Sequence, residues 1–276
     1  MNIKKIKKNF NNLEKKMRLS ASTIASCQEC TLKSYWGNVV KPIEVPQNHF
    51  GLFGTLLHWT IKEVIEHKMF NEWNIVKNMY TEKYSNLFLK DETIEKPDNE
   101  GFYYSGLKIL HGWKKDFVER GWDRAENLML EKYFRIPVKK NLMFSGFVDY
   151  LMKFEDKIYL IDWKSNKKTL TEKDIQDNIQ LNMYYWAGKQ YNVAPDEVGL
   201  YFLRSNTYVS VTRSQEDVEY LFDKGFEVES KFLKKDLEAN YSKENCKWCG
   251  FKTICDAYKT KKIMNYDKLN KIFIAE

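Results

Sequence analysis

Apolar residues recur at spacings of three and four through the first part of the chain and at spacings of two further on, so it reads as helices first and strands second. Ile3, Ile6, Phe10, Leu13 and Met17 alternate in this way and predict an amphipathic helix over 3–17 with a lysine-rich outer face. Ser20 or Ser22 is placed to cap a second helix running to about Tyr35. Leu56, Leu57, Ile61, Val64 and Ile65 make one stripe of a third helix, expected over 52–70, with more helix to about Leu89. DETIEKPDNEG (91–101) is polar and carries Pro97 and Gly101, so it predicts a loop, followed by helix over 102–120. Strands are then expected at 128–138, 142–154 and 157–164. A helix over 171–190, a hairpin over 198–213 and a charged helix over 215–238 complete the order. That order implies an α/β fold in one domain, 1–276. Within it we distinguish a basic helix (1–18), a helical portion (19–125), an α/β core (126–213) and a C-terminal helix with a cysteine-bearing segment (214–276).

Composition changes this picture little. The 276 residues can bury a sizeable core, and 43% hydrophobic content is ordinary for a globular protein. No run of 18 apolar residues occurs, and the N-terminus lacks the apolar stretch of a secretory signal, so the expected location is cytoplasmic, in a bacterium or a phage-infected host. The net charge of +7 suits a phosphate-bearing partner. Yet 39 of the 45 basic residues are lysine, a skew that AT-rich coding also produces, so charge alone decides nothing.

Chemistry concentrates in FSGFVDYLMKFEDKIYLIDWK (144–164). Asp149 and Asp162 sit among Phe, Val, Leu and Ile, where a carboxylate is costly unless it is paired or ligates a metal. Asp162 and Lys164 are two apart on a strand and share a face, with Trp163 pointing away. A hairpin can bring both carboxylates and the ammonium to one point, an arrangement that suits Mg²⁺ or Mn²⁺ with Lys164 beside an attacking water or a phosphorane. A D-x-K on a solvent-facing edge is also simply an ion pair. Three further features bear on the choice: His58 one turn beyond Gly54 in GTLLH, Gln180 and Tyr184 at i,i+4 on one helix face, and Glu131 on the first strand, within reach of the same metal centre. Each is also explained by ordinary packing or surface exposure.

The five cysteines fall in two groups, Cys27 and Cys30 near one end and Cys246, Cys249 and Cys255 near the other. In a reducing compartment such spacing points to a metal or cluster before a disulfide. Three thiolates at C-x₂-C-x₅-C need a fourth ligand, which leaves Cys27 or Cys30, and both zinc and a cubane iron–sulfur cluster accept that set.

The succession G-x-x-x-H, G-F-V-D, I-D-W-K and Q-x-x-x-Y resembles the PD-(D/E)xK nuclease superfamily, in its RecB/AddB-like branch that carries an iron–sulfur cluster and includes the CRISPR adaptation exonuclease. The resemblance covers roughly residues 19–258. It implies a restriction-endonuclease-like mixed sheet flanked by helices. It also implies that His58, Asp149 and Asp162, with the Trp163 backbone carbonyl, bind the catalytic Mg²⁺ or Mn²⁺, that Lys164 is catalytic, and that Gln180 and Tyr184 position the substrate strand. Trp163 is bulky for the middle of D-x-K and is expected to pack behind the sheet. By the same resemblance Cys30, Cys246, Cys249 and Cys255 hold a four-iron, four-sulfur (4Fe–4S) cluster, Cys27 takes a packing position, and structural zinc is the alternative. The cluster then acts as a clasp, with Trp248, Phe251 and Tyr258 shielding it.

The implied activity is a metal-dependent deoxyribonuclease, an exonuclease on single-stranded DNA or DNA ends in recombination, repair or phage DNA processing. No G-x-x-x-x-G-K-S/T motif occurs, so duplex substrates call for a separate helicase or recombination protein. The rival readings are a structure-specific endonuclease and a DNA-binding accessory protein that does not cut. Against the second stand the intact Asp149, Asp162 and Lys164. RNA stays open as a substrate.

Overall fold

The computed structural model describes residues 17–45, 48–89 and 99–265. The helix expected over 3–17 therefore lies outside the described residues apart from Met17, which opens strand β1 (Met17–Leu19) instead. Ser20 accepts a hydrogen bond from Thr23 N and caps α1 (Ala21–Glu29). The single helix expected to Tyr35 breaks at Cys30, whose backbone is extended and whose sulfur accepts from Lys33 N at 3.5 Å, so the cysteine itself starts α2 (Thr31–Tyr35). α3 (His49–Glu66) is capped by Asn48 and buries the whole predicted stripe. α4 (Trp73–Tyr84) follows, then α5 (Asn99–Glu119), which begins three residues before the expected start; residues 91–98 of the expected loop are outside the described set. Gly121, at φ 75°, ends this segment in a left-handed turn that other residues enter reluctantly.

β2 (Glu126–Lys139), β3 (Leu142–Phe154) and β4 (Lys157–Lys164) lie where alternation placed them. The helix expected over 171–190 is two, α6 (Glu172–Ile175) and α7 (Ile179–Gln190). Thr171 and Asp174 form a capping box at the first, and Asn178 accepts from the N–H groups of Gln180 and Leu181 at the second, so each has its own start signal. β5 (Glu197–Phe202) and β6 (Thr207–Val211) form the hairpin. α8 (Gln215–Lys234) stops short of 238 because Lys235 adopts a left-handed conformation. β7 (Glu238–Ala239), α9 (Lys243–Lys247), α10 (Asp256–Thr260) and β8 (Met264–Asn265) complete the described chain.

These elements gather into two compact units. One spans 46–133 and 147–214. In it β3 runs antiparallel to β4, β4 parallel to β5, and β5 antiparallel to β6, a mixed sheet with helices packed on it. Its core joins Phe53, Leu57, Ile61, Trp113 and Phe117 from α3 and α5 to Tyr150, Ile161, Trp163 and Tyr201 from the strands. Each large side chain so buried contributes about 1.5–3 kcal/mol. The other unit spans 1–45, 134–146 and 215–276. There β1 pairs in parallel with the start of β3 (Leu19↔Phe144), and Gly225 of α8 meets the Phe144 ring so closely that a Cβ would lie 2.5 Å from it. Tyr35 packs edge-on to Phe232, and Trp36 to Phe251. Among the described residues no helix is long and apolar enough to cross a membrane.

Candidate functional site: a carboxylate–histidine–lysine centre

The site lies wholly within the unit of 46–133 and 147–214 and is built on the β3–β4 hairpin. The register Tyr150↔Ile161 carries Asp149 alongside the end of β4, where its Oδ2 accepts a hydrogen bond from Trp163 N at 3.0 Å. Asp149 and Asp162 are both buried, at 5% and 1% exposure. The Asp162 Oδ2 lies 2.6 Å from Lys164 Nζ, an ion pair whose direction is not that of a hydrogen bond, and it has no hydrogen-bond partner. Trp163 points to the opposite face, as period-two alternation requires, and packs against Trp113, Tyr150 and Tyr201 behind the sheet.

Lys164 Nζ also donates to Gln180 Oε1 at 2.8 Å, and Gln180 Nε2 donates to Tyr184 Oη at 2.7 Å, one turn along α7. From α3, His58 reaches the same place. Its Nε2 is 2.9 Å from the Trp163 carbonyl oxygen, while Nδ1 lies 3.3 Å from Glu131 Oε1 and 3.4 Å from Asp149 Oδ2. Gly54 lines the cleft one turn earlier, where an added Cβ would make only ordinary contact with Ser165, so packing does not demand glycine; its absent side chain leaves room.

Electrostatics follow from this crowding. Burial alone would lower the His58 pKa, but the Glu131 hydrogen bond and the charges of Asp149 and Asp162 outweigh it and raise it to about 9. Burial raises Asp149 well above the usual carboxylate range, and the neighbouring Asp162 charge adds to this. The His58 imidazolium and the Trp163 N–H act against this rise without cancelling it.

His58, Glu131 and Asp149 each offer one ligand atom, all within 4.8 Å of one another. Asp162 stands outside that set of three, tied to Lys164. Glu131 reaches the group from a left-handed backbone conformation, φ 45°, inside β2, a strain of about 1–3 kcal/mol that is common where a side chain must be re-aimed. A cleft of about 590 Å³ opens over His58 and Glu131, lined also by Thr55, Trp59, Lys62 and Phe147. The sequence reading missed these, because exposure at a cleft leaves no periodic signal.

In the other unit a second cavity is lined by Cys30, Cys246, Cys249 and Cys255. Cys27 does not line it and is buried on α1 beside Thr31. Backbone N–H groups donate to the sulfurs: Lys33 to Cys30, Phe251 to Cys249, and Ala257 and Tyr258 to Cys255. Phe251 and Tyr258 line the cavity, whereas Trp248 does not and is 65% exposed, because it closes α9 on the outer side.

Buried carboxylates, a histidine and a lysine gathered at the strand ends of a mixed sheet define the class of metal-dependent phosphodiesterases. The PD-(D/E)XK nuclease superfamily matches residues 18–256, most of the chain, and this protein belongs to it. Membership makes it a metal-dependent nuclease and brings the restriction-endonuclease-like fold described above. Two solved structures are similar over most of their length. SSO0001 is 13% identical, with 92% of this chain and 94% of that one covered, at a TM-score of 0.41. A candidate exonuclease from Eubacterium rectale is 9% identical, with 96% and 94% covered, at a TM-score of 0.49. No curated protein matches the chain in sequence.

Proposed function

We propose that this protein is a Mg²⁺- or Mn²⁺-dependent deoxyribonuclease, an exonuclease on single-stranded DNA or DNA ends, working in recombination, repair or phage DNA processing. The observation that carries the reading is the gathering of ligand atoms of His58, Glu131 and Asp149 within 4.8 Å of one another, beside the Asp162–Lys164 pair on β4. His58, Asp149, Asp162, the Trp163 carbonyl and Glu131 would hold the ion, and a donor set rich in oxygen suits a hard cation. The buried Asp162 Oδ2, held by its ion pair with Lys164 and by no hydrogen bond, fits that role. A divalent ion at this point lowers the pKa of a bound water and offsets charge on the phosphate. Lys164, braced between Asp162 and Gln180, orients the attacking water and donates to the oxygen on which charge develops. Gln180 and Tyr184 continue that line along α7 and position the substrate strand.

The second cavity holds, in this reading, a 4Fe–4S cluster on Cys30, Cys246, Cys249 and Cys255. Four thiolates suit zinc as well as a cubane cluster, and the resemblance carried by the C-x₂-C-x₅-C spacing with one distant N-terminal cysteine favours the cluster. The N–H donors to the sulfurs suit bound thiolates. A separate helicase or recombination protein would supply opened DNA.

Protein purified without oxygen tests both readings when its absorbance at the thiolate-to-iron band is recorded and linear and circular single strands are offered with and without Mn²⁺. Linear strands should disappear only with the metal, circular ones should persist, and Asp162→Ala should lose cleavage while keeping its fold and colour. Near-normal cleavage by Asp162→Ala in Mn²⁺ would remove Asp162 from the site. Cut circles would make the enzyme an endonuclease, and no cleavage by the wild type would leave a binding protein.

A further inference from the structure

The cleft over the metal-sized group has an aromatic wall that the chemistry above does not use. Phe147 precedes Asp149 by two residues on β3, so period-two alternation puts the ring on the face of the candidate ligand. It lines the same cleft as His58 and Glu131. Tyr133, two residues beyond Glu131 on β2, meets it with ring centroids 5.0 Å apart and planes tilted by 50°. Both rings stay open to water, Phe147 at 52% and Tyr133 at 42% exposure. A large ring left exposed in a cleft that also holds His58 and Glu131, and packed on a second exposed ring, marks a place where a ligand with a flat apolar face is accommodated. A centre that handles a phosphodiester beside such rings suits a ligand carrying both chemistries, a nucleotide whose base is unpaired. Bases inside a duplex keep their faces in the stack; those of a single strand offer them to aromatic side chains.

We propose that Phe147 and Tyr133 form a stacking platform for an unpaired nucleobase flanking the scissile phosphate, which makes single strands and frayed ends the preferred substrate. The inference rests on the nuclease reading above and deepens it. The competing account, a cross-strand aromatic pair that only steadies the β2–β3 ribbon, gives neither ring any contact with a base.

Wild type, Phe147→Ala, Tyr133→Ala and Phe147→Trp are compared by kcat/KM, with Mn²⁺, on a labelled single strand and on copies in which one abasic site is stepped along it. The platform predicts a loss on the order of 10- to 100-fold for Phe147→Ala and near-normal values for Phe147→Trp. It also predicts one abasic position at which wild type loses a similar factor and Phe147→Ala loses no more, the signature of two changes removing one contact. Because both rings are exposed, unchanged melting temperatures are expected and separate lost stacking from lost folding. Alanine variants within about twofold of wild type, or abasic losses that add in full to the Phe147→Ala loss, overturn the platform and leave the nuclease reading standing. A wild type that cuts no polynucleotide overturns that reading itself.

Discussion

His58 places one ring nitrogen at the Trp163 carbonyl and the other between two carboxylates, so both nitrogens face acceptors and the imidazolium is favoured. A metal can bind this histidine only after a proton leaves. With the pKa raised to about 9 by Glu131, Asp149 and Asp162 against the opposing effect of burial, that proton is still present at neutral pH. Metal affinity should therefore rise about tenfold per pH unit from 7 towards 9 and then level off, as a Mn²⁺ titration across that range would register. A flat profile would exclude His58 as a ligand. Lys164 makes a different kind of contribution. Its ammonium sits between Asp162 and Gln180, and under the proposed mechanism it would meet charge that exists only in the transition state. Lys164→Ala should leave metal and DNA binding near normal while kcat falls by two decades or more, on the order of 3 kcal/mol. Weakened binding with normal kcat would make Lys164 a phosphate contact.

At the scale of elements, what the sequence made legible is what repeats. The buried stripe of α3 and the strands at 142–154 and 157–164 follow from periods of 3.6 and two, which also fixed Asp162 and Lys164 on one face and Trp163 on the other. Side chains that stop the chain from repeating were not legible. Cys30 ends one helix through its extended backbone and caps the next with its sulfur, and Asn178 caps α7 just after α6 has ended, yet neither interrupts the apolar pattern. The left-handed turn of Glu131 within β2 has no sequence signal either, since glutamate is not a residue that favours it. His58 lies 105 residues from its Trp163 partner, and only resemblance to a family, not local pattern, joined them before the fold did. The exposure of Phe147 in the cleft and of Tyr133 against it has no signal in the strand pattern.

At the scale of the whole molecule, the proposed chemistry occupies one unit and the cysteines the other. The cysteine unit is assembled from three separate stretches of chain, so its ends need a tie that local structure does not supply. Under the proposed cluster Cys30 and Cys246 would close a loop of 216 residues (246 minus 30), and fixing so long a loop would remove unfolded-state entropy on the order of several kcal/mol. Placement favours one N-terminal cysteine as the proposed fourth ligand. Cys30 lines the cavity with Cys246, Cys249 and Cys255, and Lys33 N donates to its sulfur. Cys27, one turn earlier on α1, is buried against Thr31 with Lys231 and Glu227 nearby, and there it serves as a small apolar side chain. Cys30→Ser should then bleach most of the iron–thiolate absorbance of anaerobically purified protein and lower its melting temperature by roughly 5 °C or more. Cys27→Ser should keep the colour and shift melting little, because serine replaces a packed thiol of nearly its own size. Equal bleaching by the two variants, or deeper bleaching by Cys27→Ser, would show that α1 itself delivers the ligand and that the break at Cys30 serves only to start α2.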